Sequence, residues 1–299
     1  MTKEENAMKI KPDSPIKFSM TALIAILFLT AGAAMAQSDE ASRARSVNPI
    51  SNSPTGALCA PDKTFTYSSG AHHFSFCFDS EHAQGSLLFL ISPAGLYQIS
   101  GREGYIVCGT GAANAYAILS DDMGWEEAVI SQPGGPNTLP ITFTRQSTDG
   151  KFELAQTFDW DPVEKEILIT MTLKNISAAS ITSVRLSRYF RGLPGADVGD
   201  DVYDRDSDSV WGVDLGGSGT GHHGLMLSAL TFTQTHTAFV EKYADWNPFS
   251  AGAQTAHKCT AIAQAVPTPA GDYVGRVTYA LGTLSAGASK TVQFVYRRF

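Results

Sequence analysis

The chain has 299 residues, with 22 basic side chains, 29 acidic side chains and a formal net charge of −7 at pH 7. This balance argues against a nucleic-acid partner, because binding nucleic acid requires concentrated basic charge that displaces counterions from the phosphates. A chain of this length can bury a substantial core without the help of disulfides.

The N-terminal segment has the pattern of a cleaved secretory signal. Four lysines precede an uncharged run, residues 18–36, which ends in Ala34-Met35-Ala36. A basic region, an apolar stretch and an A-x-A site together are typical of such signals. The alternative is a retained membrane anchor, but the run is close to the lower length limit for crossing a bilayer. We therefore predict cleavage after Ala36, a secreted or periplasmic bacterial protein, and no membrane association after cleavage.

The part that remains after cleavage is acidic and begins with a flexible segment. Residues 1–36 hold four lysines and three acids, so 18 basic and 26 acidic side chains remain, a net charge of −8. Residues 37–57 are rich in Ser, Ala, Asn and Pro without an apolar period, and we predict a flexible lead-in. Residues 58–299 are predicted to form the folded domain.

Four cysteines follow the signal, at Cys59, Cys77, Cys108 and Cys259. An even number in an oxidising compartment predicts two disulfides, and four cysteines allow three pairings. A thiolate metal site is the alternative. It is disfavoured because no C-x-x-C pair is present and such sites are typical of reducing compartments.

Short runs with a period of two dominate the folded part. Glu166–Lys174 alternates apolar and polar residues, and Ser183–Tyr189 does so after an Asn-Ile-Ser turn. Tyr273–Leu281 and Thr291–Arg297 repeat this arrangement near the C-terminus. Such alternation is the mark of half-buried strands, and each pair predicts a β-hairpin. The fold class is therefore all-β, an antiparallel β-sandwich, and one large sandwich is preferred over two smaller ones because no Pro/Ser-rich linker interrupts residues 60–299.

Two of these stretches also carry a family resemblance. The segments ILITMTLKNISAASITSVRLSRYF, at 167–190, and LGTLSAGASKTVQFVY, at 281–296, resemble the large β-sandwiches of carbohydrate-handling proteins, including the galactose-mutarotase-like group. The match covers about a fifth of the chain and consists of structural turns. That group's catalytic His and acidic residues have no counterparts that can be assigned here. The resemblance implies the architecture and suggests sugars as ligands, although a fold does not establish a function.

The densest functional candidate is an Asp-rich segment between Asp197 and Trp211. Hard cations such as Ca²⁺ bind six to eight oxygen ligands, which Asp side chains and loop carbonyls supply. The spacing begins like an EF-hand loop, but Ser209 stands where that loop needs Gly and Leu215 where it needs Glu. The alternative is a solvated acidic loop that makes turns. The predicted Ca²⁺ ligands of an irregular site are Asp200, Asp201, Asp204, Asp206 and Asp208.

Aromatic residues beside acids are the second candidate. Each of the four tryptophans lies within three residues of a carboxylate, and a ring beside a carboxylate suits a sugar, whose C–H face stacks while its hydroxyls form hydrogen bonds. Tryptophan is also common in β-cores. We predict ligand contacts for Tyr203, Trp211 and Trp125.

Other motifs in the sequence give weaker indications of function. Gly219-x-Gly221-x-x-Gly224 matches a dinucleotide fingerprint but precedes a β-run instead of a helix, and the His72-His73 and His222-His223 doublets lack metal-ligand spacing. Carboxylates that could serve glycoside hydrolysis are present in excess, but sequence spacing cannot pair them. No catalytic residue is therefore predicted, and whether the protein is an enzyme stays open.

Two functions from different classes fit these patterns. The first is an exported carbohydrate-binding or carbohydrate-active protein, stabilised by Ca²⁺, with a polysaccharide or oligosaccharide as partner. The second is a non-catalytic module of the cell envelope that mediates adhesion or another interaction. The oligomeric state, the substrate and the disulfide pairing are not determined by the sequence.

Overall fold

The computed structural model describes residues 64–69, 74–79, 85–91, 97–112, 115–118, 121–135, 138–161, 166–192, 201–214, 223–242 and 273–298. All of them belong to one compact unit, Pro49–Phe299. The predicted signal, the lead-in and the boundary at residue 58 lie outside the described residues and stay predictions.

Seventeen strands are described in these ranges. They are β1 (Thr64–Ser69), β2 (Phe74–Asp79), β3 (Leu87–Ile91), β4 (Tyr97–Thr110), β5 (Ala115–Ile118), β6 (Asp121–Met123), β7 (Val129–Ser131), β8 (Ile141–Gln146), β9 (Phe152–Asp161), β10 (Glu166–Asn175), β11 (Ile181–Gly192), β12 (Asp201–Arg205), β13 (Ser209–Asp214), β14 (His223–Ala229), β15 (His236–Lys242), β16 (Tyr273–Leu284) and β17 (Ser289–Arg298). In the described ranges there is no helix of the length and hydropathy needed to span a membrane.

The strands form two antiparallel sheets that pack face to face. Sheet I has nine strands in the order β1-β2-β3-β4-β11-β16-β15, with β5 beside β4 and β6 beside β5. Sheet II has eight strands in the order β12-β13-β14-β17-β10-β9-β8-β7. The prediction of an all-β antiparallel sandwich is confirmed.

The core lies between the sheets and follows the predicted alternation. On β10, the side chains of Ile167, Ile169, Met171 and Leu173 are fully buried, whereas the intervening residues are more exposed. On β17, Val292, Phe294 and Tyr296 point inward in the same way. Because side chains alternate along a strand, each of these strands presents one apolar face to the opposite sheet.

The two predicted hairpins are wrong. β10 lies in sheet II and β11 in sheet I, and β16 and β17 are separated between the sheets in the same manner. β10 pairs with β9 and β17, and β11 pairs with β4 and β16. Each connection therefore carries the chain from one sheet to the other. The alternation of residues shows which face of a strand is buried. A hairpin within one sheet and a crossing between the sheets both bury that face, so the local sequence does not determine the partner strand.

Asn175 holds the two crossing connections together. Its side chain is fully buried, and Nδ2 donates to the carbonyls of Ala179 at 2.7 Å and Leu284 at 2.9 Å. Oδ1 accepts from the backbone N–H of Ser177 at 2.9 Å, which confirms the predicted turn. Its carbonyl accepts from Gly287 N at 2.9 Å. The β10–β11 and β16–β17 corners are thus joined by one amide side chain and its backbone.

Candidate functional site

A cluster of charged and polar groups lies between the two sheets. Glu103 on β4 and Arg188 on β11 face inward, with Arg188 Nε 2.5 Å from Glu103 Oε1 and neither side chain exposed. Glu103 Oε1 also accepts from the Tyr296 hydroxyl at 3.0 Å, and Oε2 accepts from the backbone N–H of Leu87 at 2.6 Å. Tyr296 belongs to sheet II, so the cluster links the two sheets.

Arg188 makes the remaining contacts of this cluster. Its Nη1 donates to Gln156 Oε1 at 3.0 Å and its Nη2 to the Gly85 carbonyl at 3.3 Å. The guanidinium also lies over the ring of Phe158, 4.9 Å from the centroid, a favourable cation–π geometry. The buried positive charge is therefore met by a carboxylate, an amide oxygen, a carbonyl and an aromatic face.

Burial governs the ionisation of the cluster. Loss of solvation raises the pKa of Glu103 to about 7 from an ordinary 4.5, and this outweighs the opposing effect of Arg188. The same loss of solvation, with the nearby Glu103, raises the pKa of Tyr296 well above its ordinary value. Glu103 is one of the many carboxylates in the sequence that could have served glycoside hydrolysis. A substrate cannot reach a fully buried carboxylate, so we interpret this cluster as a structural link between the sheets.

The described part of the Asp-rich segment, residues 201–211, lies in the β12–β13 hairpin. Asp206 Oδ1 accepts from the backbone N–H groups of Asp208 at 2.8 Å and Ser209 at 2.6 Å, which is an Asx turn. Asp204 Oδ1 accepts from the N–H of Arg205 at 2.8 Å. Two of the predicted ligands thus accept local backbone hydrogen bonds, and Asp206 makes a turn.

Asp208 connects this hairpin to sheet I. Its Oδ1 lies 2.8 Å from Nε2 of His236 on β15, and Nδ1 of the same ring lies 2.8 Å from the Gln234 carbonyl. Both ring nitrogens therefore lie within hydrogen-bonding distance of an acceptor oxygen. The hydrogen bond from His236 lowers the pKa of Asp208.

The structure does not test the predicted calcium site. Asp200 lies outside the described residues, and Asp201 is described only as part of the β12 backbone. Within the described residues, no three His, Cys, Asp or Glu side chains are grouped so that they could hold a metal ion together. Calcium binding by this segment stays a prediction.

The three predicted ligand-binding aromatics occupy different environments. Tyr203 is 1% exposed and packs in the core against Phe190 and Tyr273, with ring centroids 6.1 and 6.0 Å away. Trp125 is 7% exposed and packs against Tyr105 at 5.7 Å. Trp211 is partly exposed. Of the three, only Trp211 offers a surface that a ligand could reach without moving the core.

Trp211 belongs to a row of side chains that crosses sheet II, which we name the Trp211 row. The β-pairing places Asp204 opposite Trp211, Trp211 opposite Met226, and Met226 opposite Arg297. Arg297 Nε contacts Glu166 Oε1 on β10. The row is thus made of Asp204, Trp211, Met226, Arg297 and Glu166, one residue from each of five adjacent strands.

The Trp211 row lies on the outer face of sheet II. Each of its members is next in sequence to a core residue, namely Tyr203, Val210, Leu225, Leu227, Tyr296 or Ile167. Since successive side chains on a strand point to opposite faces, the row points away from the core. With strands about 4.8 Å apart, it extends over about 19 Å.

Uncharged polar groups cover the face beyond the row. Thr142 and Thr157 hydroxyl oxygens lie 2.9 Å apart, those of Thr172 and Thr291 lie 2.8 Å apart, and Gln293 Nε2 donates to Thr170 Oγ1 at 3.2 Å. These residues stand on the same outward face of strands β8, β9, β10 and β17. The outer face of sheet II therefore combines hydroxyl groups on β8, β9, β10 and β17 with the aromatic and charged Trp211 row, which runs from β12 to β10, and with the carboxylates of Asp159 and Asp161 on β9.

A second ion pair lies on the outer face of sheet I. Arg276 Nη2 donates to Glu241 Oε1 at 3.0 Å, and the guanidinium lies 5.6 Å from the Phe239 ring centroid. Both charged side chains are buried, at 1% and 4% exposure, and burial lowers the pKa of Arg276. Their burial leaves them less accessible than Trp211 and Arg297, which are partly exposed.

Sequence reasoning identified Trp211 and Asp204 but missed Arg297 and Glu166. Arg297 stands 86 residues after Trp211 in the chain, and only the pairing of β14 with β17 brings them together. The alternation of apolar and polar residues along β17 and β10 could have indicated that Arg297 and Glu166 face outward. Of the predicted disulfide residues, Cys108 is buried, while the two disulfides and their pairing stay predictions.

Comparison with protein-family models gives no match, and comparison with curated proteins gives none. Among solved structures, a bacterial glucoamylase complexed with acarbose is similar with a TM-score of 0.53 and 8% identity, covering 84% of this chain and 34% of the glucoamylase chain. The chain thus spans about a third of that protein's length. The similarity shows the fold and, at this identity, nothing further.

Two smaller proteins match with lower scores. The Slr1438 protein from Synechocystis sp. PCC 6803 has a TM-score of 0.42 at 9% identity, over 83% of this chain and 99% of the other. A galactose mutarotase related enzyme from Lactobacillus acidophilus has 0.38 at 10%, over 78% and 97%. The predicted loose resemblance to large carbohydrate-handling β-sandwiches is confirmed at the level of the fold, without a specific family.

Proposed function

We propose that this chain is an exported protein that binds carbohydrate through the Trp211 row on the outer face of sheet II. The observation that carries the proposal is the position of Trp211, which is partly exposed on the outward face, with Asp204 on the adjacent strand on one side and Met226 and then Arg297 on the next two strands on the other side. Export rests on the sequence pattern of residues 1–36. The fold is shared with part of a glucoamylase whose structure holds acarbose, which makes sugars the first ligands to test.

The chemistry of the row suits a sugar. An aromatic ring binds the apolar C–H face of a pyranose, and the neighbouring carboxylate and guanidinium accept and donate hydrogen bonds to its hydroxyls. The Met226 side chain lies between Trp211 and Arg297 in the row and adds a polarisable apolar contact. A flat sheet face that presents these groups side by side can bind an extended glycan without a deep pocket.

Calcium belongs to this proposal as a stabilising ion. Asp204 is both a member of the row and one of the predicted Ca²⁺ ligands, so an ion at the β12–β13 hairpin would stand beside the sugar site. Hydroxyl and carboxylate oxygens are the ligands that Ca²⁺ prefers. Sugar binding at the row does not require the ion, and the two can be tested separately.

The test is a panel of neutral and acidic polysaccharides and oligosaccharides, screened by affinity electrophoresis and then by calorimetry. We expect at least one glycan to be retained, and Trp211→Ala to weaken its binding by about tenfold or more, since aromatic hot spots contribute about 2 kcal/mol or more. Phe232→Ala is the matched control, because Phe232 is a 67% exposed aromatic outside the row. Equal binding by the wild type and Trp211→Ala would place the sugar elsewhere.

A second candidate function is a non-catalytic interaction module of the cell envelope. The observation that favours it is the hydroxyl-covered face of sheet II together with Val129 and Ile130, which are 73% and 40% exposed on the edge strand β7. Unpaired edge strands pair readily with a strand of another chain. Two results together would favour this function over the first. No glycan in the panel would be retained, and the protein would adhere to cell surfaces in a way that Ile130→Pro abolishes.

A further inference from the structure

The charges around the Trp211 row indicate which glycans it accepts; this inference rests on the proposed function. The row contains two carboxylates, Asp204 and Glu166, and one guanidinium, Arg297. Arg297 Nε already contacts Glu166 Oε1, so its charge is balanced within the row. The row as a whole is left with one negative charge.

The surroundings of the row do not reverse this sign. Asp161 stands opposite Glu166 on β9, and Asp159 stands opposite Leu168 on the same outward face. The described basic residue further along β10 is Lys174, about 27 Å from Glu166 at the rise of an antiparallel strand. At that distance its charge is screened at physiological ionic strength. A ligand on the row therefore meets a neutral to negative field.

The hydrogen-bonding groups that continue the face carry no charge. Gln293 and Thr170, with the Thr142–Thr157 pair beyond them, offer hydroxyl and amide groups, which both donate and accept. Such groups match the hydroxyls of a neutral sugar. A carboxylate or sulfate on a glycan would require more hydrogen-bond donors than acceptors on the protein surface. The only guanidinium of the row is that of Arg297, which already contacts Glu166.

We infer that the Trp211 row binds a short stretch of an uncharged glycan and discriminates against glycans that carry carboxylate or sulfate groups. From Trp211 to Arg297 the row extends over two strand spacings, about 10 Å, which is roughly the length of a disaccharide. The sugar chain runs across the strands, with one ring on Trp211 and its neighbour within reach of Arg297.

The experiment compares two probes of similar length, a neutral hexasaccharide chosen from those retained in the panel and an oligogalacturonate, by calorimetry with the full mature protein. EDTA is included so that no bound Ca²⁺ alters the charge of Asp204. We expect the oligogalacturonate to bind about tenfold more weakly, which corresponds to about 1.4 kcal/mol. The gap should narrow as the salt concentration is raised from about 0.05 to about 0.5 M, because screening weakens the repulsion.

Asp204→Lys is the variant that tests the cause. It lies on the surface hairpin and reverses one charge of the row, so we expect it to raise the ratio of oligogalacturonate affinity to neutral-glycan affinity. The affinity for the neutral glycan itself should fall, because the variant removes the carboxylate that accepts hydrogen bonds from the sugar. Circular dichroism confirms that the variant is folded.

The outcomes separate the inference from the function on which it rests. Equal or tighter binding of the oligogalacturonate, with Trp211→Ala still weakening both ligands, overturns the neutral-glycan inference and leaves the carbohydrate function intact. If Trp211→Ala weakens the binding of neither ligand, both the neutral-glycan inference and the proposed carbohydrate function of the row are overturned. If the wild type prefers the neutral ligand and Asp204→Lys keeps the same preference, the electrostatic explanation is overturned.

Discussion

The carboxylate of Glu103 and the guanidinium of Arg188 meet between the two sheets, with Oε1 and Nε 2.5 Å apart and both side chains fully buried. Both groups belong to sheet I, and the Tyr296 hydroxyl donates to the same carboxylate from sheet II. A buried pair of this kind is costly to break, because removing one partner leaves an uncompensated charge in the interior. The pair therefore couples the packing of the sandwich to the ionisation of one side chain.

Glu103→Gln is expected to remove a pH dependence of stability. The folded pKa of Glu103 is about 7 and its ordinary value is 4.5, so the folded chain binds one more proton than the unfolded chain between these values. The free energy of unfolding contributed by this group is full below pH 4.5 and falls by about 3 kcal/mol as the pH rises through 7. Urea unfolding at intervals from about pH 4.5 to about pH 8 measures this slope.

The control for this slope is Glu153→Gln, which changes a carboxylate on β9 whose hydrogen bond with Gln146 is exposed. It should leave the slope across the same pH interval unchanged. A Glu103→Gln curve with the wild-type slope would contradict the raised pKa.

Asn175→Ala should destabilise the corners where the chain crosses between the sheets. Nδ2 donates to Ala179 and Leu284, and Oδ1 accepts from Ser177, so truncation leaves the buried Leu284 carbonyl and two partly buried backbone groups without these partners. We expect a loss of about 2–4 kcal/mol, as about 1–3 kcal/mol is typical for each buried group left unsatisfied. Chemical denaturation measures it. Lys174→Ala, one residue earlier and exposed, should change stability by less than about 0.5 kcal/mol.

Gly275→Ala should be destabilising because β16 approaches sheet II closely at this point. A Cβ at Gly275 would lie 2.9 Å from Phe190 Cε1 and 2.9 Å from Val210 Cγ2, shorter than ordinary van der Waals contact. Overpacking of this kind costs about 1–3 kcal/mol. Gly275→Val should cost more than Gly275→Ala, and thermal unfolding ranks them. An Ala variant as stable as the wild type would show that the sheets can separate at this position without loss.

Calcium is expected to stabilise the protein if the predicted ligands bind it. Irregular extracellular sites bind with a Kd of roughly 0.1–1 mM, and a tenfold excess over Kd then raises the free energy of unfolding by about 1.4 kcal/mol. Calorimetric titration and thermal unfolding in millimolar Ca²⁺ measure both quantities.

The variant for this prediction is Asp206→Asn combined with Asp208→Asn. The amide oxygen that the first substitution introduces can still accept from the turn N–H groups that Asp206 serves, so the hairpin keeps its turn while two charges are removed. We expect the heat of Ca²⁺ binding to vanish in the double variant. No heat in the wild type at millimolar ion would remove the calcium hypothesis and leave the Asx turn as the role of Asp206.

The sequence alone determined the fold class and the buried faces of the strands. The alternation in Glu166–Lys174 identified Ile167, Ile169, Met171 and Leu173 as inward-facing, and all four are fully buried. This succeeds because the direction of a side chain on a strand depends on its parity in the chain, which is a local property. Asn175 was likewise recognised as a turn residue from its local pattern.

The tertiary structure decided which strands are neighbours, and with that the site. β10 and β11 bury their apolar faces equally well as a hairpin or in opposite sheets, and only packing against the rest of the chain selects the second arrangement. Tyr203 and Trp211 have similar sequence surroundings, yet the register of the β12–β13 hairpin sets Trp211 opposite Asp204, the neighbour of Tyr203. One ring therefore faces the core and the other faces outward.

Arg297 joins Trp211 only because β17 pairs with β14. Pairing between strands far apart in the chain is a non-local choice, since it depends on how all the apolar faces pack together. The Trp211 row therefore exists only in the folded sheet.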